Sequence, residues 1–338
     1  MNTNVKEITQ SKEWEEFLLA QDETPFFQSW WWGEVQQKAG AIVLRLGLYE
    51  KEQLIGIVQS ILVKARRGSF YWVRHGPVLA HGNWQLADSF IEELKKRALE
   101  DGCAFIRIAP VVDDTDEYRK FFADRGFRPA PIHNMDAENA WVVDVDKSEE
   151  DLLKDMRKTT RYLVRKGEKI GINIVKTTEK KYFSDFMTLY AATAQRQHFV
   201  AHRGIEEEYE LFGKHDLLQL FLAYYEDELL ASAMILFYGK EAVYHHSGMK
   251  ADKNDIPSSY LIQWEAIKEA KKRGMKRYNL WGIAPGENKN HPWHGLTIFK
   301  TGFGGRPSNH IHAQDLPLSS KYWFTWAVET IRRIRKGY

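Results

Sequence analysis

A hairpin, a short strand, a helix and a buried strand occur in that order twice along this chain. In the first half, Ile42 to Tyr49 alternates as a strand, Glu50 to Gln53 turns, and Leu54 to Val63 returns. Phe70 to Val73 is a further strand, ending in Arg74-His-Gly-Pro77. Apolar residues at 86, 90, 91, 94 and 98 then line one helical face, Gly102 closes that helix, and Phe105 to Ile108 is a buried strand. In the second half, Leu220 to Tyr225 and Leu229 to Tyr238 flank a turn at Glu226-Asp-Glu228. Ala242 to His246 is the short strand, Ser258 to Lys272 the helix, and Tyr278 to Trp281 the buried strand. Gly76 and Gly102 map onto Gly248 and Gly274 with the same offset of 172 positions. Matched elements with matched punctuation predict a duplicated α/β unit, each copy a mixed sheet flanked by helices.

A chain of 338 residues is long for one core and fits two such units. The expected domains are 1–145 and 146–310, with the C-terminal residues 311–338 completing the first. Before the first hairpin, residues 10 to 40 read as helix, turn, helix, with Ser29 as N-cap of the second. With 43% hydrophobic and 28% charged residues, the composition is that of a soluble globular protein. No run approaches the roughly 18 apolar residues of a membrane span, and the N-terminus lacks a secretory pattern, so the expected address is the cytoplasm. A single cysteine, Cys103, excludes an intrachain disulfide and a cysteine metal cage. His291-x-x-His294 and His310-x-His312 lack carboxylates at metal spacing, so no metal is expected. Walker, dinucleotide and nucleophile-elbow motifs are missing from the sequence as well.

Net charge is only +2, so any anionic partner must be met by a local patch. One lies at the seam between the halves. After a capping box at Ser148-Glu-Glu-Asp151, a helix is predicted with Lys154, Lys158, Arg161, Arg165 and Lys169 on one face and Leu152, Met156, Thr160 and Leu163 opposite. From Lys154 to Lys169 there are seven basic and two acidic side chains. A solvated face is the plain reading; RNA phosphate or a lipid headgroup is the better one, because the acids are not interspersed. Gln195 to Gly204 is a second cationic stretch, whose Arg196 and Arg203 fit a pyrophosphate or carboxylate as well as they fit salt bridges to Glu206–Glu208. Past the strand at Tyr278, Leu296, Ile298, Phe299 and Phe303 bracket Lys300 before Gly-Phe-Gly-Gly. Either its stem covers an apolar helix face, or it is a cleft cation that holds a carboxylate, a phosphate or a developing oxyanion.

Gln28-Ser-x-x-Trp32-Gly-Glu-Val, the basic segment Asp155 to Gly171, and Ile298-Phe-Lys-Thr-Gly-Phe-Gly-Gly305 together resemble the FemABX family of peptidoglycan-bridge aminoacyltransferases. The likeness is chain-long and is to compact members without a coiled-coil arm. It implies two tandem GNAT-like domains, that is, the acyl-CoA N-acyltransferase fold. It also implies transfer of an amino acid from aminoacyl-tRNA to an amine of a peptidoglycan precursor, UDP-MurNAc-pentapeptide or lipid II, without a cofactor. By the resemblance Lys300 stabilises the transition state with Phe299 beside it, and Arg203 binds the precursor's phosphates. Tyr209, Tyr244, Trp32 and Lys38 become substrate contacts, and the five basic residues from Lys154 to Lys169 contact tRNA. Two positions depart from the pattern. A lysine expected four residues after Trp32 is Gln36, with Lys38 two further on, and an acidic residue of some relatives is Ala109. The general base is therefore open. An acyl-CoA-dependent N-acyltransferase and a non-catalytic binder of tRNA or precursor are the rival readings.

The C-terminal segment 319–337 places Trp323, Phe324, Ala327, Val328, Ile331 and Ile334 on one helical face, with Arg332, Arg333, Arg335 and Lys336 at its end. The expectation is a helix docked on the first domain; the rival is an interfacial helix at the inner membrane surface.

Overall fold

The computed structural model describes residues 3–197, 202–253, 255–286 and 289–336. The chain divides into two compact units, Met1–Asn139 with Ser308–Tyr338, and Ala140–Pro307.

The first unit runs β1 (Thr3–Glu7), α1 (Ser11–Ala20), α2 (Trp30–Lys38), β2 (Ile42–Glu50), β3 (Gln53–Val63), β4 (Phe70–Arg74) and β5 (Val78–Leu79). It continues with α3 (Ala87–Glu100), β6 (Phe105–Ala109), α4 (Asp116–Asp124) and β7 (Arg128–Pro129). The second unit is made from β8 (Asn139–Asp144), α5 (Glu149–Asp155), α6 (Lys158–Lys169), β9 (Asn173–Thr177), α7 (Lys180–Gln197), α8 (Ile205–Lys214), β10 (Leu218–Tyr225), β11 (Glu228–Tyr238) and β12 (Glu241–Met249). After these come α9 (Ser258–Lys272), β13 (Arg277–Gly282), α10 (His294–Thr301) and β14 (Arg306–Asn309). β15 (Gln314–Pro317) and α11 (Lys321–Lys336) then return to the first unit.

Both sheets are mixed. In the first, the order is β1-β2-β3-β4-β6-β15-β7, with β5 on β3; in the second it is β14-β8-β13-β12-β11-β10-β9. The duplicated core is β2-β3-β4-α3-β6 in one unit and β10-β11-β12-α9-β13 in the other, each with one parallel pair, β4 with β6 and β12 with β13. Phe90, Ile91, Leu94 and Ala98 of α3 bury against Leu46, Leu48, Val58, Val73 and Ile106. In the second unit Leu261, Ile262, Ala266, Ile267 and Ala270 of α9 bury against Phe221, Ala233, Ile235 and Tyr278. These are the apolar stripes that the 3.6-residue period puts on one side of each helix. Gly102 and Gly274 close α3 and α9 at φ +65° and +73°, a conformation that a side chain disfavours. That requirement is why the two glycines keep their offset.

Two expectations are corrected. The basic segment is not one helix: Met156 is extended, at ψ 145°, and separates α5 from α6. The apolar face of α11 is not its docked face. Tyr322 and Thr325 are buried, whereas Phe324 is 63% and Ile334 70% exposed. What holds α11 is the Tyr322 ring, buried against Phe70 and Phe105, together with polar bonds: Arg107 pairs with both Asp315 and Glu329, Tyr322 Oη donates to Asp315, and Thr325 Oγ1 donates to the Arg67 carbonyl. The cations of its last turn do complement the helix dipole, as expected, but the side that binds the unit is the one carrying these hydrogen-bonding groups.

Candidate active site

The parallel strands of the second unit stay paired for three residues, Glu241 with Arg277, Ala242 with Tyr278 and Val243 with Asn279, and then part. In the first unit the corresponding pair runs five residues, from Phe70 with Phe105 to Arg74 with Ala109. The local cause is Asn279, whose side chain accepts the Trp281 N–H at 2.8 Å, while Trp281 turns to φ +68°. A side-chain acceptor that captures the next ladder donor but one ends regular pairing. The pairing of β13 with β8 shifts register at the same place. One wall of the opening is Tyr244 to His246, the other Leu280 to Gly282, and the His245 ring stands edge-on to Trp281 at 5.4 Å.

α10 brings Lys300 to this opening. The lysine is 3% exposed, and its Nζ donates to the Gly282 carbonyl at 2.6 Å. Burial pushes its pKa from 10.5 down to about 7. Thr297 fixes the helix by accepting the Ala284 N–H and donating to the Trp293 carbonyl, both at 2.9 Å. At the other end, Gly302 lies so close to Thr160 of α6 that a β-carbon would come within 2.2 Å of its Oγ1. Arg157 adds bonds to Ile298 O and Thr301 Oγ1. The lysine thus sits on a helix held on both sides of it. Phe299, one residue earlier, points into the core against Tyr260 and Phe303, at 4.9 and 5.3 Å.

The remaining predicted residues fall in several places. Tyr244 is half-buried on β12, where burial raises its phenol's pKa. Arg203 is exposed on the turn that opens α8. Tyr209 is buried, stacks on Phe183 at 4.4 Å and donates its hydroxyl to the Thr178 carbonyl. In the first unit, Trp32 is buried among Phe26 and Phe27, with the Arg74 guanidinium 5.2 Å from its ring. Lys38 is exposed at the end of α2, Gln36 is half-buried, and Ala109 is buried at the end of β6.

The break between α5 and α6 redistributes the cations. Lys154 stays on α5, paired with Glu150 and Asp151 at 3.0 and 3.5 Å. Arg161 turns back and donates to the carbonyls of Leu153 and Lys154 at 3.0 and 3.1 Å, capping α5. Lys158, Arg165 and Lys169 remain exposed on α6.

The sequence offers Glu208 only as a salt-bridge partner for Arg196 or Arg203 and gives His245 and His246 no role, yet the three converge beside the opening. The carboxylate is 3.4 Å from His245 Nε2 and 3.5 Å from His246 Nε2. Consecutive strand residues should face opposite ways. A bulge explains the convergence: Met234 pairs with His246 and Ile235 with Tyr244, so His245 is the extra residue.

The sequence model of the FemAB family matches residues 9–121, 132–225 and 207–330. The chain is 23% identical over 263 residues to the UDP-N-acetylmuramoylpentapeptide-lysine N(6)-alanyltransferase of Weissella viridescens, covering 73% of each. It is 19% identical to the lipid II:glycine glycyltransferase of Staphylococcus haemolyticus, over 91% of this chain and 92% of that protein. Among solved structures, a crystal structure of FemX superposes with a TM-score of 0.84 at 16% identity, over 97% of this chain and all of the other. A tandem GNAT protein from the clavulanic acid pathway superposes with a TM-score of 0.52 at 10% identity, over 93% and 97%. Both likenesses bear on the fold, two mixed α/β units in tandem. With most of its length matched by the family's model, this chain belongs to the FemAB family.

Proposed function

We propose that the protein is an aminoacyltransferase of cell-wall bridge synthesis, moving an amino acid from aminoacyl-tRNA to an amine on the stem peptide of a peptidoglycan precursor. The observation that carries this reading is Lys300, a buried cation on a braced helix where β12 and β13 part. An aminoacyl ester is already activated, so the protein has to align amine and ester and stabilise the tetrahedral oxyanion. The amine nitrogen attacks the ester carbonyl, the bond to the ribose oxygen breaks, and an amide forms. The proton shed by the amine ends on the ribose oxygen or in water. Lys300 Nζ, exchanging the Gly282 carbonyl for the oxyanion, is the donor, and one such donor is worth about 10²–10³ in rate.

The named relatives divide between an acceptor called UDP-N-acetylmuramoylpentapeptide-lysine and lipid II. For this chain the lipid-linked acceptor is better supported. α11 turns Trp323, Phe324, Ile331 and Ile334 outward, and the exposed Arg332, Arg333 and Arg335 flank them. Aromatic, aliphatic and basic side chains on one exposed helix suit an anionic bilayer surface, so we place the enzyme at the inner face of the membrane. Among the described residues, no helix is long and apolar enough to cross it. Exposed Arg203 suits the precursor's phosphates, Tyr244 lines the opening that admits the substrate, and the outward cations of α6 suit tRNA backbone. We read the two units as the two GNAT-like domains, the first completed by the C-terminal segment and contributing Trp32 and Lys38 to precursor binding.

The test is incubation with a mixed pool of charged tRNAs and both precursor types, with mass spectrometry of the products. A precursor heavier by one amino-acid residue is expected. Acylation from acyl-CoA instead, or no product from either donor, would replace this reading.

A further inference from the structure

We propose that Glu208, His245 and His246 form a binding site for a divalent metal ion of the zinc type. The three side chains are 3, 7 and 4% exposed, and one donor atom from each lies within 4.8 Å of the other two. Two imidazole nitrogens and a carboxylate oxygen are a donor set that zinc takes with its fourth position left to water or another ligand.

The spacing separates a metal cage from a plain ion pair. Elsewhere in the same protein, His312 Nδ1 meets Glu138 at 2.7 Å, an ordinary charge-assisted hydrogen bond. Glu208 instead holds its two histidines at 3.4 and 3.5 Å. The first is measured from Oε1 and the second from Oε2; each is longer than such a bond and near the edge, about 3.3–3.4 Å, of a tetrahedron with ligands about 2.0–2.1 Å from its centre. Among the described residues, Glu208 Oε1 makes no hydrogen bond, although the carboxylate is almost fully buried. A buried carboxylate needs a cation or donors to offset its lost hydration.

The way in is on the His202 side. That residue is exposed, and its ring lies 5.1 Å from the ring of His246, so its imidazole or a water can complete the coordination. The ion would tie α8 to the bulge of β12 and stiffen the wall that faces Trp281. Whether a metal binds here is independent of which donor the enzyme uses for transfer.

The experiment strips the purified full-length protein with a chelator and titrates it with Co²⁺ and then Zn²⁺. One equivalent of Co²⁺ should give visible d–d absorption, Zn²⁺ should bleach it, and Zn²⁺ should raise the Tm. Glu208→Gln and the double variant His245→Ala/His246→Ala should each lose at least tenfold in affinity. The wild-type titration decides the matter if the variants do not fold. Absence of the cobalt spectrum together with an unchanged Tm overturns the site, as does full-strength binding in a folded Glu208→Gln protein.

Discussion

Lys300 donates to a backbone carbonyl and is pushed down to about 7 by burial, and stability and the catalytic role proposed for it should respond to that in opposite directions. Between about 7 and 10.5 the unfolded chain carries a proton that the folded chain has shed, so unfolding takes up a proton and stability rises with pH. The slope should be at most about 1.4 kcal/mol per pH unit, and it should vanish in Lys300→Met, as denaturant melts across that range would show. In the proposed mechanism the cationic donor is lost in the same window. kcat/KM should therefore fall as pH rises through about 7, and Lys300→Arg, which keeps its charge, should lose that descending limb. Lys300→Met should cut turnover at least about a hundredfold while precursor affinity stays within a few-fold; single-turnover rates and equilibrium binding measure the two separately, and unchanged turnover would return Lys300 to a packing role. The sequence makes the setting of this lysine legible, a cation among aromatics and glycines beyond a strand. Its acceptor, 18 residues earlier, is a tertiary fact with no local signature. The same holds for His245 and His246, which a period-two reading sends to opposite faces and a bulge brings together.

At the scale of the element, the excess of cations from Lys154 to Lys169 is legible from composition, but its shape is not. Neither proline nor glycine marks the break at Met156, and no side chain caps the start of α6. Tertiary packing makes the break: Arg157 binds Gly302 O with its amide and two α10 groups with its guanidinium. Arg161, spaced like a surface cation, is spent on the end of α5. The two kinds of arginine and lysine should therefore separate on mutation. Reversing Lys158, Arg165 and Lys169 to Glu should leave the Tm nearly unchanged, raise the KM for charged tRNA and flatten its dependence on salt. Arg161→Ala should instead cost about 1–3 kcal/mol of stability, with little change in that salt slope. Urea melts and steady-state kinetics at several salt concentrations read both. Were the triple reversal to lose affinity for anionic vesicles and keep its tRNA kinetics, α6 would be a lipid-facing helix.

Across the whole molecule, duplication has kept the folding instructions and let the openings diverge. Gly102 and Gly274 still end equivalent helices, but β4 and β6 stay zipped for five residues where β12 and β13 part after three. The first is written in turn residues and can be read along the chain. The second rests on the turn at Asn279-Leu-Trp281, which looks in sequence like any strand end. α11 is the opposite case: its amphipathic pattern is plain, yet which side docks depends on partners more than 200 positions away, Arg107 with Glu329 and Arg67 with Thr325. Two changes then have different outcomes. Deleting residues 319–338 removes Tyr322 from the Phe70 and Phe105 cluster and Glu329 from buried Arg107, so the Tm should fall sharply and the protein should become insoluble. Replacing Trp323, Phe324, Ile331 and Ile334 by Ser leaves Tyr322, Thr325 and Glu329 in place, so the protein should stay folded, with its Tm lowered by no more than a few degrees. That variant should no longer sediment with anionic vesicles and should modify lipid-linked acceptor poorly, while a soluble nucleotide-linked acceptor is still used at the wild-type rate. Equal loss on both acceptors would place these side chains in service of the catalytic unit, and undiminished vesicle binding would move the membrane contact to another surface.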